Sequence, residues 1–180
     1  MCMKIIVIYV ILLGCCSFSQ AQSFKSVRSE TSFFSSAPLE DIKATNTKAT
    51  SLFNGETGAI AFFVPIKAFQ FNKSLMQQHF NERFMESDKY PRATFEGKLT
   101  GYDLGVSGVQ EAVAIGKMTI HGVSRDVKIK GQFTHNSGQV KMESKFPIKV
   151  ADYKIEIPQV VFYNIGEVVE VSVEFIYKEN

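Results

Sequence analysis

Hydrophobic and polar residues alternate along most of this chain with a period of two. Val127, Ile129, Gly131 and Phe133 fall on one side of a stretch whose other side carries Lys128, Lys130 and Gln132. Val140, Met142 and Phe146 oppose Lys141, Glu143 and Lys145. Val169, Val171, Val173, Phe175 and Tyr177 oppose Glu170, Ser172 and Glu174. Successive side chains of a strand point to opposite faces, so this pattern predicts antiparallel strands with one wet face and one dry face. Ile60, Phe62, Val64 and Ile66 alternate with Ala59, Ala61, Phe63 and Pro65, a run apolar on both sides whose inner set stays open. Turn signals separate the runs at Asn54-Gly55, Gly105 to Gly108, His121-Gly122 and Asn136-Ser137-Gly138. The last predicts a hairpin between 126–135 and 139–148. Several such strands predict an all-β sandwich or barrel, and closure into a barrel removes the exposed edges that invite aggregation.

One segment has a different period. Met76, Phe80 and Phe84 recur every fourth residue, while Gln77, Gln78, Asn81 and Glu82 occupy the remaining surface, which predicts an amphipathic helix over about 73–86. Ser74-Leu75-Met76-Gln77 fits a capping box in which Ser74 accepts from the Gln77 amide. Pro91 pushes Tyr90 towards an extended conformation, so the switch to strand is expected there. The inner face of that strand would be Ala93, Phe95, Gly97 and Leu99. A helix leading so abruptly into a strand predicts a plug at one end of a barrel.

Composition sharpens the picture of the interior. The chain of 180 residues is 45% hydrophobic and 21% charged, which fits one globular domain. It carries 16 Phe and 6 Tyr but no Trp. Phenylalanine has no polar handle, so this bias predicts a large dry core or an apolar cavity. A net charge of +2 and the lack of any basic run interleaved with aromatics argue against nucleic acid as a partner.

The beginning of the chain reads as a targeting segment. Lys4 precedes the apolar run Ile5 to Leu13, too short for a membrane span, and small residues follow. Ser19-Gln20-Ala21 suits cleavage to leave Gln22 as the mature N-terminus, with residues 1–21 as a signal peptide and 22–180 as a single domain. Leu12-Leu13-Gly14-Cys15 offers a second reading, a lipobox with Cys15 acylated and the protein anchored to a membrane. Cys2, Cys15 and Cys16 are the only cysteines, so a chain cut after Ala21 carries no disulfide, thiol nucleophile or cysteine metal site. Without Lys4, basic and acidic side chains nearly balance.

Candidate chemistry is sparse. His79, His121 and His135 lack a ligand-spaced partner nearby, so no local metal motif is expected. No G-x-S-x-G elbow or phosphate-cradling loop occurs. Asp88, Asp103, Asp126 and Asp152 sit in turn-like or strand-end positions, where aspartate is commonly structural. No catalytic residue is assigned. Arg83, beside the helix stripe, is the cation placed to meet a polar head group at a barrel mouth, against the plainer reading of a solvated side chain. What remains is apolar volume. Phe62, Met76, Phe80, Phe84, Phe95, Met118, Ile120, Ile129, Phe133, Met142, Val171 and Phe175 are the expected lining of a ligand cavity, the alternative being an ordinary packed core. Gly131 and Ser144 interrupt that inward apolar set.

Two stretches carry a family likeness. "HFNERFMESDKYPRATFEG" (79–97) and "AIGKMTIHGVSRDVKIKG" (114–131) resemble the paired signatures of the YceI-like family. "APLEDIKATN" (37–46) and "DYKIEIPQVV" (152–161) are similar to a variant common among secreted members. The resemblance implies an extended antiparallel, lipocalin-like β-barrel of about eight strands with one helix near its end. It also implies an exported periplasmic protein, monomer or homodimer, that binds an isoprenoid lipid, either a polyprenyl chain or an isoprenoid quinone, without catalysis or other cofactor. Two other functions stay open: a stress-related interaction protein with a packed barrel, and an enzyme acting on an isoprenoid lipid.

Overall fold

A computed structural model describes residues 22–36, 41–156 and 166–179. The expected leader and the residues before its expected cleavage point, the three cysteines and residues 37–40 and 157–161 of the family-like stretches lie outside the described residues. The strands are β1 (Ser23–Ser35), β2 (Ile42–Asn46), β3 (Thr50–Asn54), β4 (Ala59–Pro65), β5 (Gln70–Phe71), β6 (Arg92–Thr100), β7 (Gly108–Ile120), β8 (Val123–Asn136), β9 (Gln139–Lys149) and β10 (Val168–Glu179). Neighbours run in the order β10-β9-β8-β7-β6-β4-β3-β1, and β10 pairs back onto β1 to close an eight-stranded antiparallel barrel. β2 and β5 extend the sheet beyond one end, β2 pairing with the last residues of β1 and β5 with β2.

Turn chemistry sets the register where the strands are longest. His121-Gly122 and Ser137-Gly138 both have positive φ at two successive residues (50° and 73°, 48° and 77°), which suits two-residue hairpin loops that follow the twist of the flanking strands. They pair Ile120 with Val123 and Asn136 with Gln139, so the expected hairpin forms with β8 and β9 slightly longer than the pattern suggested. In the wall, Gly97 faces Gly116 across β6 and β7. A Cβ on Gly97 would lie 2.4 Å from the Ile115 carbonyl oxygen and 2.8 Å from the Phe95 ring, so glycine lets the two strands approach and the ring lie flat.

The helix, α1, is shorter than its sequence pattern. It runs as an α-helix over Ser74–His79 and continues as a π-helical turn over Phe80–Phe84. The capping box does not form. Lys73, extended at φ −117°, is the N-cap and gives no side-chain cap, and Ser74 is already helical. The Gln77 amide donates to the Lys73 carbonyl at 3.1 Å, while its side-chain oxygen accepts from the Phe71 amide at 3.3 Å. β5 leads almost directly into the helix, which moves the start by one residue and leaves Ser74 no free amide ahead of it. At the far end the Met85 amide donates to Phe80 O at 2.8 Å, and Met85 and Ser87 are buried, which pins the helix to the barrel.

Candidate functional site

The inward faces of the barrel strands enclose a cavity of about 260 Å³. Alternation decides which side chains reach it, including the run that was ambiguous: Ile60, Phe62, Val64 and Ile66 face inward. β6 contributes Phe95, β7 Met118 and Ile120, β8 Ile129 and Phe133, β9 Met142, and β10 Val171 and Phe175. The helix adds Met76, Phe80 and Phe84 at one mouth. The apolar residues expected as cavity lining therefore all border one cavity, whereas Val127, Val140 and Tyr177 of the same alternating faces do not. Arg83 does not; its side chain is exposed on the outer side of the helix.

The two ends of the cavity are closed by different aromatic groups. At the helix end Phe80 stacks on Phe33 with ring centres 5.4 Å apart, and Phe69 and Phe71 pack against Phe80 at 5.6 and 5.0 Å. At the opposite end Phe24, Phe53, Tyr102, Phe133 and Tyr177 form a continuous cluster, with Tyr102 5.0 Å from Phe133 and 5.1 Å from Phe53. Tyr177 donates to Ser51 Oγ at 2.7 Å, and Tyr102 to the Gly55 carbonyl at 2.8 Å. Burial holds the Tyr177 phenol far above its ordinary range, opposed only in part by the bond to Ser51. Between the ends, Phe62 packs on Phe175 at 4.8 Å and forms the waist.

Phe33, Phe69, Phe71 and Met85 border the cavity without any sign in the sequence pattern. Phe33 stands beside Phe34, so alternation alone assigned neither. Phe69 and Phe71 lie in a short irregular stretch after the turn Ile66–Ala68, where no period can be read.

Polar residues border this space in few places: Thr31, Ser35 and Thr94, and Lys130, Gln132, Glu143 and Ser144 at the β8–β9 edge. Ser35 Oγ accepts from the Gly166 amide at 2.9 Å, and Ser144 Oγ donates to the Lys130 carbonyl at 2.6 Å, so both serve the wall. Thr31 Oγ1 is buried without a partner among the described residues. The histidines stand apart: His79 on the helix, His121 in the β7–β8 turn and His135 near the β8–β9 turn. Among the described residues no group of three or more His, Cys, Asp or Glu is placed to hold a metal ion. His121 is more than a strand-end residue. Its Nε2 lies 3.0 Å from Glu86 Oε2 and its Nδ1 3.3 Å from the Tyr153 carbonyl, with Tyr90 packed edge-on at 4.5 Å. Only the tertiary fold brings 86, 121 and 153 together, and they brace the segment that follows the helix.

The outer face carries the opposite character. Lys141 pairs with Glu143 and Glu174 at 2.8 and 3.1 Å, and Lys145 with Glu170 at 2.7 Å. A charged exterior around an apolar interior is the reverse of what a bilayer-spanning barrel needs. Among the described residues no helix is long and apolar enough to cross a membrane.

A closed antiparallel barrel with a dry interior and a helix at one mouth is a lipocalin-like container. The chain belongs to the YceI-like family, whose domain model matches residues 18–177. Similar solved structures include a polyisoprenoid binding domain from Saccharophagus degradans, 14% identical with a TM-score of 0.76, covering 88% of this chain and 99% of that one. BcnA of Burkholderia cenocepacia is 17% identical with a TM-score of 0.64, covering 83% of this chain and 94% of that one. A YceI protein of Campylobacter jejuni is 14% identical with a TM-score of 0.61, covering 79% and 86%. No match is found among curated proteins. At these identities the likeness concerns the fold.

Proposed function

We propose that this protein is a non-catalytic carrier that holds an isoprenoid lipid, a polyprenyl chain or an isoprenoid quinone, inside the barrel. The observation that carries the reading is the cavity itself, lined mostly by Phe, Met, Ile, Leu, Val and Ala, with the charged residues Lys130 and Glu143 confined to the β8–β9 edge. Each methylene-sized group buried there contributes roughly 0.8 kcal/mol, so a five-carbon unit contributes about 4 kcal/mol at most. Ordering a flexible chain offsets part of that gain. No directional bond is needed, which agrees with a wall whose serines are engaged with backbone. The relative from Saccharophagus degradans, described as a polyisoprenoid binding domain, lends the ligand class further support. The leader reading supports a periplasmic carrier, with Gln22 at its start or, if Cys15 is acylated, a membrane anchor.

Native mass spectrometry of protein taken from its own periplasm, with titration of a fluorescent prenyl probe, tests the reading. A co-purifying prenyl lipid and saturable binding are expected. A protein that carries no lipid and takes up no probe would sink the carrier. Intact mass from the same preparation separates a chain starting at Gln22 from one acylated at Cys15.

A further inference from the structure

Among the described residues the ring of strands is interrupted in two places, and one of the two communicates with the interior. The β8–β9 ladder runs from Asn136 and Gln139 to Gln132 and Glu143, then stops. β8 nevertheless extends back to Val123 and β9 onward to Lys149. Each stays paired on its other side, β8 with β7 as far as Val123 and β9 with β10 as far as Lys149. Strands that keep their outer partners while losing each other diverge and leave a wedge in the wall. At its apex the Ser144 hydroxyl donates to the Lys130 carbonyl at 2.6 Å, a side-chain bond where the next rung would stand. At its wide end the turn Val150–Tyr153 spans the gap, held by Arg125 Nε donating to the Asp152 carbonyl at 3.0 Å.

The second interruption is sealed. β1 exchanges β3 for β2 between Lys25 and Thr31. There the Ser51 amide donates to Ser26 Oγ at 2.8 Å and Ser29 Oγ to the Ala49 carbonyl at 2.6 Å. Ser29, Ala49 and Ser51 are buried. In the β8–β9 wedge the corresponding bond is the one from Ser144 to Lys130 at the apex, and below it Ile129, Phe146 and Ile148 are half-buried rather than buried. Gly131, Gln132, Glu143 and Ser144 border the inner cavity and also floor a groove on the outer surface. Inside the wedge stand Ile129, Phe146, Ile148 and Ile155, all half-buried and all bordering the cavity. Outside, the groove carries Ser32, Gln132 and Ser172 among Glu30, Glu143, Glu174 and Lys145. Among the described residues both axial routes are covered, one end by the packed aromatic cluster and the other by the helix, which buried Met85 and Ser87 follow.

We propose that apolar chains enter and leave the barrel sideways, through the β8–β9 seam, while the helix acts as a fixed stopper. This rests on the carrier reading and adds the route. A chain sliding between the strands passes from the polar groove onto Ile129, Phe146 and Ile148, so it meets apolar surface as soon as it leaves water. Gly131 keeps the apex narrow without a side chain in the way, and the Ser144 bond to Lys130 can open without breaking a ladder rung. The glycine and the serine that interrupted the inward apolar set in the sequence, Gly131 and Ser144, thus have one use.

The test closes the seam covalently. A Cβ on Gly131 would lie 3.1 Å from Ser144 Cβ, near the separation of about 3.5–4.5 Å in a disulfide. The native cysteines all precede the described residues, so Gly131→Cys with Ser144→Cys adds the pair. Stopped-flow uptake and release of a fluorescent prenyl chain are compared before and after reduction. Oxidation is expected to slow both about tenfold or more with equilibrium affinity unchanged, and dithiothreitol to restore them. Equal rates in both redox forms would overturn the seam while leaving the carrier standing, because the parent binds; a parent that takes up no probe removes both. That Cβ would also lie 2.5 Å from the Glu143 carbonyl oxygen. Should the pair prevent folding, a diazirine-bearing prenyl chain photolysed in the parent during early uptake decides. Early labels on Ser32, Lys145 or Ser172, which line the groove and not the cavity, support the seam, and early labels confined to 74–85 overturn it.

Discussion

The two ends of the barrel are built from the same residue type and behave differently. At the closed end Phe24, Phe53, Phe133 and Tyr177 are at most 1% exposed, and the Tyr177 hydroxyl is spent on Ser51. At the helix end Phe33, Phe71 and Phe80 are only half-buried, and their free surface borders the cavity. The difference comes from what surrounds each ring. Strands converge on the closed end from every side, whereas the helix end is roofed by a short element whose own backbone bonds are few. Phenylalanine content alone therefore does not say whether a region is core or binding surface. What decides is whether a ring finds protein on all sides.

Cutting into each end should break this symmetry in a graded way. Phe133→Ala removes a side chain with no exposed surface, and should cost about 3–5 kcal/mol in urea denaturation. A loss under about 1 kcal/mol would mean that the closed end is not packed as described. Phe80→Ser with Phe84→Ser should cost about 2 kcal/mol or less, because both rings are only partly covered. It should weaken binding of a fluorescent prenyl probe while the sheet signal in circular dichroism persists. Collapse of the sheet would place the helix stripe in the core, and unchanged affinity would remove these rings from the binding surface.

Tyr177→Phe isolates the polar handle of the closed end. It should cost about 1 kcal/mol at neutral pH, since Ser51 loses its donor. The same variant carries a pH signature. Burial raises the folded-state pKa of Tyr177 above its unfolded value, so its contribution is fully present below the unfolded pKa and is lost as pH rises from about 10. Urea midpoints across that alkaline range should fall more gently in Tyr177→Phe than in the parent; parallel curves would contradict the burial. The smallest effect is expected on the outer side of the helix. Gln78 donates to Glu82 at 3.1 Å on the exposed side of the helix, so Gln78→Ala should change stability by about 0.5 kcal/mol or less and leave probe binding unaltered.

Much of the wall was legible because a strand's period of two is local. Once Val127 and Ile129 are dry and Lys128 and Lys130 are wet, the face of each later residue follows from its number. The helix was legible for the same reason, though its boundaries were not. The capping box failed because β5 holds Lys73 extended and takes the Gln77 side chain for the Phe71 amide, a constraint from a neighbouring strand. Arg83 was placed near a mouth by its proximity to the stripe, yet one further step around the helix turns it to solvent.

The alternation of β6, β8, β9 and β10, the turn glycines and the apolar helix stripe were determined by the sequence itself, since each depends on residues a few positions apart. Which of Phe33 and Phe34 faces inward was decided only by pairing with β2 and β10. The gathering of Phe69, Phe71 and Phe80 at one mouth, the bridge from Glu86 through His121 to Tyr153, and the seam at Gly131 and Ser144 were also tertiary decisions. Each depends on where distant strands meet or part. Closing a barrel fixes those meetings through shear and curvature that no single stretch of chain encodes.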